Sequence, residues 1–382
     1  MASSASAIVI LLFLLSCSSY CFLSRAESQA PALFIFGDSI VDCGNNDYLP
    51  NSTAVADYLP YNMDFFAVTG RFSNARNLAD CVAESLGFEH LIACSRDPNS
   101  TGERILDGVN FGSAGTGILD NSTAGEIVTP LHYQVLFFQN KTLPDLESQL
   151  GGNLSSFLAQ SLFLFNTGGN DFVDQCFETG ESCDIPEFTD LLISQLTKIF
   201  EKMYSLGARK FIVFSTESSG CTPVARDMTN GSCSETFDSA SRTYNGRLNA
   251  SIDTFTETFP GSQFVFVSLY NVINELIDNP TTYGYDNVED ACCEMITDGS
   301  SCVKNGPTCV DRSKFLFWDG GHPTDKTNSI LASKIYDSKN TSISYPFSIK
   351  ELAAINSTAA AADSSLFIRP WSKSTGSGKG DQ

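Results

Sequence analysis

His322 is one of three histidines in the chain, and Asp319 stands three residues before it in the stretch FWDGGHPTD (317–325). A carboxylate at that spacing can meet the imidazole across one tight turn, fix its tautomer and stabilise its protonated form. An imidazole held in this way is a general base, and it needs a nucleophile from elsewhere. Four blocks, each directly after an apolar run, supply the candidates. Gly37-Asp38-Ser39 follows Leu33–Phe36, and Gly112-Ser113-Ala114-Gly115 follows Gly108–Phe111. Gly168-Gly169-Asn170-Asp171 follows Ser161–Thr167, and Asp319-Gly320-Gly321-His322 follows Phe315–Trp318. These are the parts that acyl transfer to a serine requires. A serine hydroxyl attacks poorly at neutral pH unless a base takes its proton, so Ser39 is expected as nucleophile, His322 as base and Asp319 as the orienting carboxylate. The tetrahedral intermediate needs preorganised donors for its oxyanion. The candidates are the Ser39 N–H, an N–H in the turn at Ala114 or Gly115, and the side-chain amide of Asn170. With His322 as base, kcat/KM is expected to rise with pH through one ionisation near the ordinary histidine value of about 6.5.

The elements that must position these groups are legible as alternating patterns. Leu33–Phe36, Gly108–Phe111, Ser161–Thr167, Lys210–Ser215 and Gln263–Ser268 read as strands that are apolar on both faces, as in a covered parallel sheet. Phe188, Leu192, Leu196, Ile199, Met203 and Leu206 keep helical spacing, with Gly207 as the stop. Phe237, Tyr244, Leu248, Ile252 and Phe255 repeat that pattern, and His322-Pro323 opens a further helix over 323–337. Strand alternating with helix predicts an α/β fold with right-handed crossovers. Ligands gather at the carboxyl ends of strands in such sheets, where the four blocks fall.

Composition narrows the setting. A formal charge of −21 argues against nucleic acid and anionic membrane surfaces as partners. Ala7–Leu15 is apolar but too short to span a bilayer, and Ser24-Arg25-Ala26 fits a small-x-small cleavage site, so residues 1–26 are predicted to be a secretory signal peptide. No later run is long enough to span a membrane. Nine Asn-x-Ser/Thr sequons follow, at Asn51, Asn99, Asn121, Asn140, Asn153, Asn230, Asn249, Asn340 and Asn356, predicting N-linked glycans. Removing Cys17 and Cys21 from thirteen cysteines leaves eleven, expected to be mostly paired in an oxidising compartment. Close spacing suggests Cys176–Cys183, Cys221–Cys233 and a knot among Cys292, Cys293, Cys302 and Cys309, which would staple a long loop over 284–312. Cys43, Cys81 and Cys94 remain. With no C-x-x-C pair and no histidine near that loop, a zinc site is not expected. Residues 27–356 read as a single domain and 357–382 as a low-complexity, disordered tail.

FIFGDSIVDCGNN, GVNFGSAGTGIL, TGGNDF and FWDGGHPT, in that order, resemble the four signature blocks of the plant-type GDSL esterase/lipase family within the SGNH hydrolases. GRFSNARN (70–77) and the cysteine-rich ACCEM segment are similar to plant-type features, and the likeness runs from about Ala32 to Ile355. The resemblance implies a three-layer α/β/α sandwich with a mainly parallel, flavodoxin-like central sheet. It implies Ser39, Asp319 and His322 as the triad and Asn170 as an oxyanion donor, with no metal and no cofactor. The chain departs from the pattern at Ile40, in place of the eponymous leucine, and at Ala114 and Ala75, where many relatives have glycine. Cys43, four residues after Ser39, is an unusual place for a thiol.

The remaining polar residues in the blocks have structural readings. Asp38 and Asp171 are expected to bond nearby backbone, and Asp42, Asn45 and Asn46 to shape the turn after Ser39. His90 and His132 lack motifs, and nothing near Cys43 would lower its thiol pKa. The reading that results is a secreted, glycosylated serine esterase, placed outside the cell (apoplast or cell wall in a plant). An acyltransferase using the same triad shares the first half-reaction, and a non-catalytic binding glycoprotein is the rival from another class. Lipid, cutin-like, wall-acetate and phenolic esters are all compatible with these residues.

Overall fold

The strands alternate side chains so regularly that two separate cores result. On one face lie Phe34, Phe36, Phe163, Phe165, Phe211, Val213, Phe264 and Phe266. On the other lie Leu33, Ile35, Leu162, Leu164, Ile212, Phe214, Val265 and Val267. Period-two alternation puts neighbouring residues on opposite sides of a sheet, so a strand apolar at every position demands cover on both faces.

In the computed structural model, which describes residues 28–123, 127–177, 183–297 and 299–357, that cover is helical. The predicted signal peptide, and the predicted tail beyond residue 357, lie outside the described residues. The strands are β1 (Leu33–Gly37), β2 (Ala93–Cys94), β3 (Val109–Asn110), β4 (Leu162–Asn166), β5 (Lys210–Phe214), β6 (Gln263–Val267), β7 (Asn287–Ala291), β8 (Phe315–Phe317) and β9 (Ser344–Tyr345). Seven of them form one sheet in the order β2-β3-β1-β4-β5-β6-β9, parallel except for β9 against β6. The helices that position it are α1 (Leu78–Ser85), α2 (Leu131–Phe137), α3 (Ile185–Ser205), α4 (Glu235–Ala250), α5 (Leu269–Asp278) and α6 (Asp325–Tyr336), with shorter turns between. Buried residues of α2, α3 and α4 pack on the phenylalanine face, and those of α1, α5 and α6 on the aliphatic face. The result is a three-layer α/β/α sandwich with a mainly parallel central sheet.

On the first face Phe34, Phe163, Phe211 and Phe264 are direct cross-strand neighbours, with ring centroids 5.2, 6.1 and 4.3 Å apart in turn. Each such buried side chain contributes roughly 1.5–3 kcal/mol by leaving water, and the offset ring contacts add to that. α3 begins where the Asp184 side chain accepts from the Glu187 N–H. It ends just before Gly207, whose φ of 108° suits the left-handed residue that closes a helix.

Several expectations need correction. Phe315–Phe317 does not join the main sheet. It pairs in parallel with β7 as a separate two-stranded sheet, because the outer edge of β6 is taken by β9. The expected loop over 284–312 therefore contains a strand. The strand expected over Gly108–Phe111 is only two residues long, Val109–Asn110, although the Phe111 and Ser113 N–H groups go on donating to the Ile35 and Gly37 carbonyls of β1. The single helical pattern through Phe237–Phe255 is broken at Ser251 into Glu235–Ala250 and Ile252–Thr258. The helix expected from Pro323 starts at Asp325, capped by the Thr324 side chain, which accepts from the Thr327 N–H.

Among the described residues, five disulfides tie the chain. Cys176–Cys183, Cys221–Cys233, Cys292–Cys309 and Cys293–Cys302 fall within the groups expected from spacing, and Cys43 pairs with Cys94. Cys81 is a buried thiol, and burial raises its pKa far above the ordinary thiol value. Among the described residues, no helix is long and apolar enough to cross a membrane.

Candidate active site

β1 ends at Gly37, whose φ is 148°; a Cβ there would stand 2.0 Å from the Asn166 carbonyl oxygen of β4. Only glycine allows the chain to leave the sheet at that point. The next residues form a tight turn, with the Val41 and Asp42 N–H groups donating to the Asp38 carbonyl. The Asp38 carboxylate accepts from the Ile40 N–H at 3.1 Å. Ser39 stands at the crest of this turn and is half-buried. From α2, the Gln134 side chain clamps the end of the strand: it accepts from the Gly37 N–H and donates to the Gly37 carbonyl, both at 2.9 Å.

The imidazole of His322 arrives from the small sheet. After β8 the chain turns through Asp319-Gly320-Gly321-His322, and the Asp319 carboxylate draws the turn closed by accepting from the Gly321 and His322 N–H groups (3.0 and 2.8 Å). The same carboxylate meets His322 Nδ1 at 2.8 Å, and His322 Nε2 stands 2.7 Å from Ser39 Oγ. Asp319 is fully buried. Tyr61 completes its coordination by donating its hydroxyl to Oδ2 at 2.7 Å, while that hydroxyl accepts from the Cys302 N–H at 3.1 Å. The Phe72 ring packs 4.9 Å from the imidazole.

The oxyanion candidates divide. The Ala114 N–H donates to Asp42 Oδ2 at 2.9 Å and is therefore unavailable. The N–H groups of Ser39 and Gly115 have no acceptor among the described residues. Asn170 places one amide hydrogen on the Thr116 carbonyl at 2.9 Å and keeps the other. Ser39, Gly115, Asn170 and His322 all keep partial exposure, whereas their neighbours Asp38, Ala114, Asp171 and Asp319 are buried.

The flanking polar residues hold this geometry. Asp171 accepts from the Ile118 and Leu119 N–H groups (2.7 and 2.9 Å). Asp42 accepts from Gly44 and Asn45 as well as Ala114. Asn45 and Asn46 donate to carbonyls at Asn110, Gly112 and Ala114. They stitch the turn after β1 to the turn after β3. His90 is exposed, and His132 contacts Asp120, away from the triad.

The charges around the imidazole are crowded. Burial works to lower the His322 pKa, but the Asp319 charge and hydrogen bond, with Glu217 and Asp38 nearby, outweigh it and leave the value raised. Burial pushes Asp38 up to about 7, with the Asp171 charge adding to it, and Glu217 up to about 8, with the Asp38 and Asp319 charges adding to it. Three residues here escaped the reading of the sequence. Tyr61 and Gln134 lie in no motif. Glu217 could have been found, because it follows the apolar run of β5 just as the four blocks follow theirs.

A serine, an imidazole and a carboxylate bonded in series beside a parallel α/β/α sheet are the groups that acyl transfer to a serine would use. Residues 33–335 match the family model described as GDSL-like Lipase/Acylhydrolase. A GDSL esterase/lipase of Arabidopsis thaliana is 34% identical over 348 residues, covering 87% of this chain and 94% of the relative. GDSL esterase/lipase 7 of the same plant is 34% identical over 350 residues, covering 86% and 93%. A further Arabidopsis thaliana GDSL esterase/lipase is 36% identical over 327 residues, covering 82% and 90%. The chain belongs to the GDSL-like lipase/acylhydrolase family, a family of hydrolases.

Proposed function

We propose that the protein is a secreted serine esterase that cleaves carboxylic esters through an acyl-enzyme on Ser39. The observation that carries this reading is the unbroken series Asp319–His322–Ser39, with contacts of 2.8 and 2.7 Å. As Ser39 Oγ attacks the ester carbonyl, His322 Nε2 takes its proton, and Asp319 stabilises the imidazolium. The oxyanion is received by the Ser39 and Gly115 N–H groups and the Asn170 amide, the loss of one such donor costing roughly 3 kcal/mol of transition-state stabilisation. The C–O bond to the alcohol then breaks, and the imidazolium returns its proton to the departing oxygen. Water repeats the sequence: His322 takes its proton, the acid leaves, and Ser39 is restored.

Export is supported by the apolar leader, the five disulfides and the sequons, of which eight of nine asparagines are exposed. Asn249 is the exception, with its Oδ1 buried.

The test uses the purified full chain with a short-chain aryl ester and an active-serine phosphonate. Turnover and a covalent adduct are expected, and both should vanish in Ser39→Ala while the circular dichroism is kept. A folded wild type that neither turns over nor labels would overturn the reading.

A further inference from the structure

The site contains a carboxyl group, that of Glu217, which this reaction does not use. Glu217 stands three residues past the end of β5, whose Phe214 lies opposite Asn166 of β4, which in turn lies opposite Gly37 of β1. It therefore emerges from the same carboxyl edge as Ser39 and Asn170. Its loop is pinned on one flank by α4: Asn245 Oδ1 accepts from the Thr216 N–H and hydroxyl (2.9 and 3.1 Å), and its amide donates to the Thr216 carbonyl (3.0 Å). Thr216 also packs near the Asn170 turn, since a Cβ on Gly169 would lie 3.9 Å from its Cγ2. On the other flank the Val224 N–H donates to the Gly320 carbonyl at 3.0 Å, tying the segment to the turn that carries His322.

Within this frame Glu217 Oε1 is fully buried and has no hydrogen-bond partner among the described residues. The residue as a whole keeps partial exposure, like Ser39, Asn170 and His322. The charges it feels are those of Asp38, His322 and Asp319. An unsatisfied buried polar atom of this kind is destabilising, and a ligand that reaches the accessible part of the side chain can relieve it by drawing the carboxyl group into a hydrogen bond. Burial keeps the group largely protonated at neutral pH, with a pKa of about 8. A carboxylic acid both donates and accepts, which matches a hydroxyl better than an ion or an alkyl group. The side of the substrate follows from the chemistry. The departing alcohol oxygen must sit at His322 Nε2 to recover its proton, and the Val224–Gly320 bond holds the Glu217 segment beside the turn that carries that imidazole.

We propose that Glu217 binds a second hydroxyl on the alcohol portion of the substrate, so that the preferred substrates are esters of polyols carrying a free hydroxyl beside the scissile ester. The inference rests on the esterase reading. Simple alkyl esters leave the Glu217 acid unbonded and are turned over less efficiently. Glycerides and acylated sugars share the required chemistry.

The experiment measures kcat/KM for glycerol monoacetate, a glucose monoacetate and ethyl acetate, which transfer the same acyl group. The wild type is expected to favour at least one polyol ester over ethyl acetate by about tenfold, the ratio that one lost buried hydrogen bond would produce. Which of the two is favoured assigns the source, glyceride or sugar. In Glu217→Leu the ratio should collapse toward unity, and Glu217→Gln, which keeps a donor and an acceptor, should restore most of it. Phosphonate labelling of Ser39 in each variant reports that the centre is assembled. A wild type without preference overturns the inference, as does a preference unchanged in labelled Glu217→Leu. Hydrolysis of no ester and no labelling of wild type would overturn the esterase reading itself, and this inference with it.

Discussion

Asp319 accepts four hydrogen bonds, from His322 Nδ1, the His322 and Gly321 N–H groups and the Tyr61 hydroxyl. Three of these come from its own turn; the fourth comes from 258 residues away. Tyr61 is thus the external brace of the carboxylate that holds the His322 imidazole. Tyr61→Phe is expected to lower kcat/KM roughly tenfold with little change in KM, the size of one hydrogen bond to a charged group. The pH profile has a definite sign. His322 must be neutral to act, and its pKa is raised, so the ascending limb of kcat/KM should have its midpoint above the ordinary value of about 6.5. In Tyr61→Phe the less stabilised carboxylate should hold the imidazolium more firmly and move that limb higher still. A wild-type midpoint below the ordinary histidine value would contradict the first statement, and a limb in Tyr61→Phe at or below that of the wild type would contradict the second. The meeting of Ser39, Asp319 and His322 was legible because each follows an apolar run. Which of Ala114 and Gly115 keeps a free N–H was not, because the Ala114 N–H is taken by Asp42, 72 positions before it and close to it only after folding.

The end of β1 shows how an element can depend on one side chain. Gln134 bonds both backbone groups of Gly37 from outside the sheet, doing for the strand end what a neighbouring strand does elsewhere. Gln134→Ala leaves the buried Gly37 N–H without its acceptor and should cost about 1–3 kcal/mol in denaturant unfolding. Gln134→Glu, which keeps an acceptor, should lose less, and equal losses in the two variants would sink this account. At this scale the five main apolar runs were readable, because strands covered on both faces are apolar throughout. The membership of Phe315–Phe317 was not. A short apolar run does not say which edge it will find, and the edge of β6 goes to two residues, Ser344 and Tyr345, that carry no strand pattern of their own. Glycine and cysteine spacing was the better guide to the loops, where local chain closure decides the pairing.

Across the whole molecule, buried acids set the pH response of stability. Burial pushes Asp42 and Asp171 up to about 6, Asp38 and Asp47 to about 7 and Glu217 to about 8. A carboxyl with a raised folded value favours the folded state below its unfolded pKa and loses that contribution as pH climbs through the folded one. His322, also raised, has the same sign. Asp64, Glu275 and Glu351 are lowered by cationic partners or hydrogen bonds and act oppositely, losing their contribution as the solution becomes strongly acid. Tm is therefore expected to peak in mild acid and to fall from about pH 5 to about pH 8, with self-repulsion of a chain of net charge −21 adding to the fall. Calorimetry across that range checks it; a Tm that climbs toward pH 8 would be the contrary result.

The hydroxyl and the base belong to different sheets and lie 283 residues apart along the chain. During translation the serine emerges early, while its imidazole is among the later residues to leave the ribosome. On the proposed reading, a nascent polypeptide therefore lacks its base while it is being made, and competence arrives only once the turn carrying Asp319 and His322 has docked beside Ser39.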